Sequence, residues 1–128
     1  MATQSIALAL AALSAMPVAA GAVESGMVLQ LGTSGGDFER RVVRYDCGSD
    51  APLEVSYINA APNFLAIVPV EGEAEPLIFS AVLSGSGARY AASQWVWVTK
   101  GPEATLIDAT LDDDADAVLT CSEVNNTP

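Results

Sequence analysis

Beyond residue 40, no segment sustains an apolar 3.6-residue period long enough for an amphipathic helix, whereas short alternating runs recur between turn residues. RRVVRYDC opens the series and a GSDAP turn closes it. LEVSYIN (53–59) follows, with Leu53, Val55 and Tyr57 on one face and Glu54 and Ser56 on the other. FLAIVPV (64–70) carries Pro69, a residue that lacks an N–H to give a neighbouring strand and so predicts an edge or a bulge. PLIFSAVLS (76–84) sets Leu77, Phe79, Ala81 and Leu83 together. ARYAAS and WVWVTK come next; in the latter Trp95 and Trp97 share one face, and Val96, Val98 and Lys100 share the other. ATLIDAT and AVLTCSEV, joined by LDDDAD, bring the total to about eight strands. That many short strands at regular spacing predict an all-β fold, an antiparallel sandwich or barrel.

A chain of 128 residues has room for one such domain. Five basic residues against sixteen acidic ones give a net charge of −11. A surface of that sign repels nucleic acid and anionic lipid headgroups, which argues against both as partners, and it attracts basic partners. There is no histidine. Every Ser-His or Cys-His catalytic pair is therefore excluded, as is the commonest metal ligand.

The opening stretch, MATQSIALALAALSAMPVAAGAVES, has the apolar run and small-residue exit of a secretory signal peptide. The expected export signal is 1–22, with cleavage after Ala22, before Val23. A flexible lead is expected over 23–39 and the folded domain over 40–125. No cysteine follows the apolar run closely enough to accept a lipid, so the expectation is a periplasmic or secreted protein without a membrane anchor. In such a compartment the two cysteines, Cys47 and Cys121, are most simply a disulfide. It would join the first strand to the last and, on a chain-entropy argument, stabilise the fold by roughly 4 kcal/mol.

Two turn signals stand apart. Gly85-Ser86-Gly87 is a glycine-flanked serine, and Lys100-Gly101-Pro102 carries the only lysine of the chain. Both can be plain hairpin turns. A Ser86–Lys100 dyad is chemically conceivable, because a desolvated lysine can act as a base, but nothing in the sequence marks an oxyanion hole. Asp112, Asp113, Asp114 and Asp116 lack the glycine and later glutamate of an EF-hand loop and read as an acidic hairpin tip. No metal or cofactor site is expected.

Taken in order, Tyr45-Asp46-Cys47, Leu53-Glu54-Val55-Ser56-Tyr57, Ser84-Gly85-Ser86-Gly87-Ala88-Arg89-Tyr90, Thr99-Lys100-Gly101, Glu103-Ala104-Thr105-Leu106 and Cys121 resemble the family of inhibitors of c-type lysozyme (MliC/PliC type). The resemblance covers about residues 43–123. It implies a small eight-stranded antiparallel β-barrel and a binding protein rather than an enzyme, with c-type lysozyme as partner. It further implies that Ser86 and Lys100 protrude into the lysozyme's substrate cleft, with Gly85, Gly87, Arg89, Tyr90, Thr99 and Gly101 in support. Monomer and homodimer both stay open. Many relatives have an aromatic residue directly before the T-K-G tripeptide; here that position is Val98, and parity puts Trp97 on the opposite face. The chief rival is a barrel that binds a small molecule or an envelope glycan.

Overall fold

A computed structural model of the protein describes residues 26–124. The expected signal peptide, its cleavage point and the first residues of the lead lie outside the described residues. Eight strands run β1 (Glu39–Asp46), β2 (Leu53–Ala60), β3 (Asn63–Val68), β4 (Leu77–Val82), β5 (Ala88–Ala92), β6 (Trp95–Lys100), β7 (Glu103–Asp108) and β8 (Leu119–Glu123). Each pairs antiparallel with the next, and β8 returns to β1, so the sheet is a closed barrel. Of the two architectures compatible with the strand pattern, the chain adopts the one without edges.

The period-2 pattern explains the interior. Val43 and Tyr45, Val55 and Tyr57, Ala66 and Val68, Phe79, Tyr90, Trp97, Ala104 and Leu106 all point inward and are buried. Large side chains from facing strands thus fill the lumen, each burial being worth about 1.5–3 kcal/mol. Trp97 stands at the centre, fully buried, its ring edge-on to Tyr45 at 5.4 Å. Its Nε1–H donates to the Tyr57 hydroxyl at 2.9 Å, which shares a 2.7 Å hydrogen bond with the Tyr45 hydroxyl. No buried polar side-chain atom among the described residues is left without a partner.

Closure is the sparsest part of the sheet. β1 meets β2 over seven residue pairs from Glu39↔Asn59 to Tyr45↔Leu53, but meets β8 only at Tyr45↔Glu123 and Asp46↔Ser122. The Cys47–Cys121 disulfide lies beside these two pairs and covalently joins the ends of the sheet.

Three details depart from the alternation-based expectations. Pro69 marks neither an edge nor a bulge: β3 ends at Val68, and the proline lies in the connection to β4, where no ladder partner is required. Ala81 and Leu83 do not share the buried environment of Phe79; both are exposed, because β4 ends at Val82 and Leu83 has left the barrel wall. Glu39, read as the end of the lead, is the first residue of β1. Ahead of it the chain straps the β2–β3 turn. Ser34 donates from its N–H and its Oγ to the Ala61 carbonyl (2.8 and 3.1 Å), and Asn63 Nδ2 donates to the Gly32 carbonyl at 3.3 Å. Leu29, Leu31 and Phe38 gather around Ile58 and Ala60 on the outer wall, which explains why Ala60 is buried on a face that otherwise meets solvent.

Candidate functional site

In an up-and-down barrel successive connections alternate between the two ends. The β2–β3 turn (61–62), the β4–β5 loop (83–87) and the β6–β7 turn (101–102) therefore share one end. Ser86 lies in the second of these, and Lys100 closes β6 at the third. Register makes them neighbours: Ala88, the first residue after the serine loop, pairs with Thr99.

Gly87 seals that contact. Its φ of +66° belongs to the left-handed region, and a Cβ there would collide with the carbonyl oxygen of Thr99 and lie 3.4 Å from the Lys100 Cα. Only glycine lets the serine loop lie directly on the strand that ends in Lys100. Ser84 Oγ donates to the Ser86 carbonyl at 2.8 Å and closes the loop on itself. Gly101, with φ +58°, opens the two-residue turn that follows the lysine. Two exposed tips, one hydroxyl and one ammonium, thus stand side by side on rigid hairpins.

Both tips are available to an outside partner. Ser86 and Lys100 are exposed. Among the described residues the ion pair is Arg44 with Glu54 at 3.0 Å, and no carboxylate comes within ion-pair distance of Lys100. No hydrogen bond joins Ser86 to Lys100 among those residues, so the structure contains no dyad contact.

The other residues grouped with the tips divide. Gly85 and Gly101 lie in the loops, and Thr99 supplies the carbonyl against Gly87. Arg89 points from the outer wall of β5 into an open depression of about 300 Å³ that it shares with Val96, Ile107 and aspartates of the β7–β8 loop. Tyr90 faces the core, where burial raises its phenol pKa above the ordinary value. Neither side chain is at the tips. Leu83, which the alternation grouped with Leu77, Phe79 and Ala81, stands apart from the buried Phe79, 99% exposed in the serine loop. The glycine-rich SGSG that follows was the available sign that the strand ends before it.

Charge is divided between the ends. The four connections at the far end carry Asp50, three glutamates between Glu71 and Glu75 and four aspartates between Asp112 and Asp116, with no lysine or arginine. The three connections at the tip end contain no charged residue, and the acidic groups at the strand ends there are Glu39, Glu103 and Glu123. Within the far-end cluster, hydrogen bonds from Thr110 lower the pKa of Asp108. No group of three acidic or thiol side chains among the described residues converges to hold a metal ion.

Residues 45–115 match the family model described as "Membrane-bound lysozyme-inhibitor of c-type lysozyme". The chain belongs to this family. A membrane-bound lysozyme inhibitor of C-type lysozyme from Pseudomonas aeruginosa is 48% identical over 68 residues, and one from Cupriavidus necator is 41% identical over 68 residues. Each alignment covers 53% of this chain and 53% of the relative, so the chain spans about half the length of the curated relatives it matches. Among solved structures, the crystal structure of Pseudomonas aeruginosa MliC in complex with hen egg white lysozyme superposes with a TM-score of 0.60 at 38% identity. It covers 79% of this chain and 100% of that one.

Proposed function

We propose that this protein inhibits c-type lysozyme by seating Ser86 and Lys100 in the enzyme's substrate cleft, and that it performs no chemistry of its own. The observation that carries this reading is the Gly87 contact, which holds the serine loop against the lysine-bearing strand end. A family relative in complex with hen egg white lysozyme supports it.

The chemistry suits the target. C-type lysozymes work with two carboxyl groups, one protonated as the acid and one ionised. The Lys100 ammonium, with no carboxylate partner of its own among the described residues, makes charge-assisted hydrogen bonds to such groups and takes up space the sugar requires. The Ser86 hydroxyl donates and accepts in the same cleft. Because the tips are held by backbone packing, docking sacrifices little conformational entropy. An enclosed small-molecule site has less support, since aromatic and aliphatic side chains occupy the lumen.

We place the protein in the periplasm, exported by residues 1–22, with residues 40–125 as the inhibitory domain. The disulfide supports an oxidising compartment.

The test is a lysis assay on peptidoglycan, titrating the oxidised protein against an animal c-type lysozyme beside Lys100→Ala and Ser86→Ala. Stoichiometric inhibition by the native protein, at least tenfold weaker in Lys100→Ala, is expected, since one charge-assisted contact is worth about 1.5–3 kcal/mol. Equal inhibition by all three would remove the tips from the mechanism.

A further inference from the structure

The connections at the tip end carry no charged residue, so the contacts they make themselves are short-range ones. Lys100 and Ser86 supply the polar ones. We propose that Leu83 supplies the apolar one: it is an anchor of the inhibitory surface that buries against nonpolar surface flanking the cleft of the target lysozyme. The inference rests on the lysozyme-inhibitor reading and extends it from the tips to the loop that carries them.

Three observations converge on Leu83. First, it is 99% exposed, more than any other large apolar residue of the described chain, with Val28 of the N-terminal strap next at 96%. Isolated exposed leucines are ordinary on protein surfaces. This one sits three residues before Ser86 in the same loop. Second, it is not alone at that rim. Phe64, at the start of β3, is 42% exposed. The β3–β4 register, in which Leu65 faces Ser80, puts Phe64 opposite Ala81, two residues before Leu83. Phe64, Ala81 and Leu83 therefore form an apolar shoulder next to the polar tips. Third, the shoulder is preorganised. The Gly87 contact and the Ser84–Ser86 hydrogen bond fix the loop, so a partner meets Leu83 already in position.

An apolar anchor beside a charged tip has the anatomy of a binding hot spot, in which the nonpolar contact excludes water from the polar one. It also has its own signature. Losing a buried apolar contact raises the dissociation rate and does so equally at all salt concentrations, whereas losing an ionic contact matters most at low salt.

The experiment measures association and dissociation of the oxidised protein on an immobilised animal c-type lysozyme, at low and at physiological salt. The variants are Leu83→Ala, Leu83→Met and, as an outer-wall control, Ile78→Ala. Leu83→Ala is expected to bind about tenfold more weakly, through faster dissociation and by the same factor at both salt concentrations. Leu83→Met should restore most of the loss, and Ile78→Ala should match the native protein. Leu83→Ala binding within twofold of native, while Lys100→Ala is strongly impaired, would overturn the anchor and leave the lysozyme reading standing. Failure of the native protein to bind would overturn both.

Discussion

At the scale of single residues, Gly87 does what no other residue type can. Gly87→Ala places a Cβ into the Thr99 carbonyl at a φ that L-residues avoid. The loop must lift away, at an expected stability cost of about 1–3 kcal/mol. Inhibition should weaken with it, although the variant leaves Ser86 and Lys100 in place. Gly85→Ala is the control, because its Cβ meets only open space and its backbone is ordinary. Thermal melts beside inhibition titrations check the pair, and equal behaviour of the two variants would refute the packing argument. The tyrosines give a second prediction. Burial raises all three phenol pKa values, at Tyr45, Tyr57 and Tyr90, above the ordinary 10.0. The folded state therefore keeps protons that the unfolded state releases. Stability should be complete below about pH 10 and fall as pH rises beyond it. Phenolate absorbance should appear together with unfolding, and a separate phenolate transition in the intact barrel would contradict it. The glycines flanking Ser86 were visible in the sequence, but their use was not. A close approach between two backbones depends on the Ala88↔Thr99 register, which spacing alone does not determine.

At the scale of elements, the seam between β1 and β8 is the point where the fold is held by the fewest sheet contacts. Two residue pairs and one disulfide do the work that four to seven pairs do at most other junctions. The disulfide spans 74 residues, so removing it by reduction or by Cys121→Ser should cost about 4 kcal/mol. A denaturant titration with and without reductant measures it, and coincident curves would show that the strand pairs alone hold the seam. Most strands were legible because each alternates with period two. Trp95 and Trp97 were rightly grouped, but which face they occupy was not readable, since Val96 and Val98 make the other face equally apolar. Trp97 turned out to be the centre of the core. Alternation also failed where a strand stopped early, at Leu83, and where an apolar outer wall was covered by the chain's own N-terminal strap, at Ala60.

At the scale of the whole molecule, a net charge of −11 is not an even coat. The acidic connections lie at the end opposite Ser86 and Lys100, separated by strands of five to eight residues, or about 17–27 Å of chain. With a screening length of about 10 Å at 0.1 M salt, that field largely decays before it reaches the tips. Replacing Asp112, Asp113, Asp114 and Asp116 with asparagine should slow association with a basic lysozyme at about 0.01 M salt, where screening reaches about 30 Å. At physiological salt the rate should change by less than about twofold, and dissociation should not change at all. Stopped-flow association rates across a salt series test this, and a large loss at physiological salt would mean that the far end steers the encounter. Net charge was readable from composition, but its division between the ends required the strand order.

The seam also bears on when the protein becomes complete. Seven of the eight strand pairings join neighbours in sequence, so hairpins from β1 to β8 can zip locally as the chain emerges. The eighth joins the first strand to the last, and Cys47 has no partner until Cys121 arrives. Ser86 and Lys100, both carried between β4 and β7, can thus be in place while the sheet is still open. The final locking of the barrel waits on oxidation of the two thiols, whatever has already folded between them.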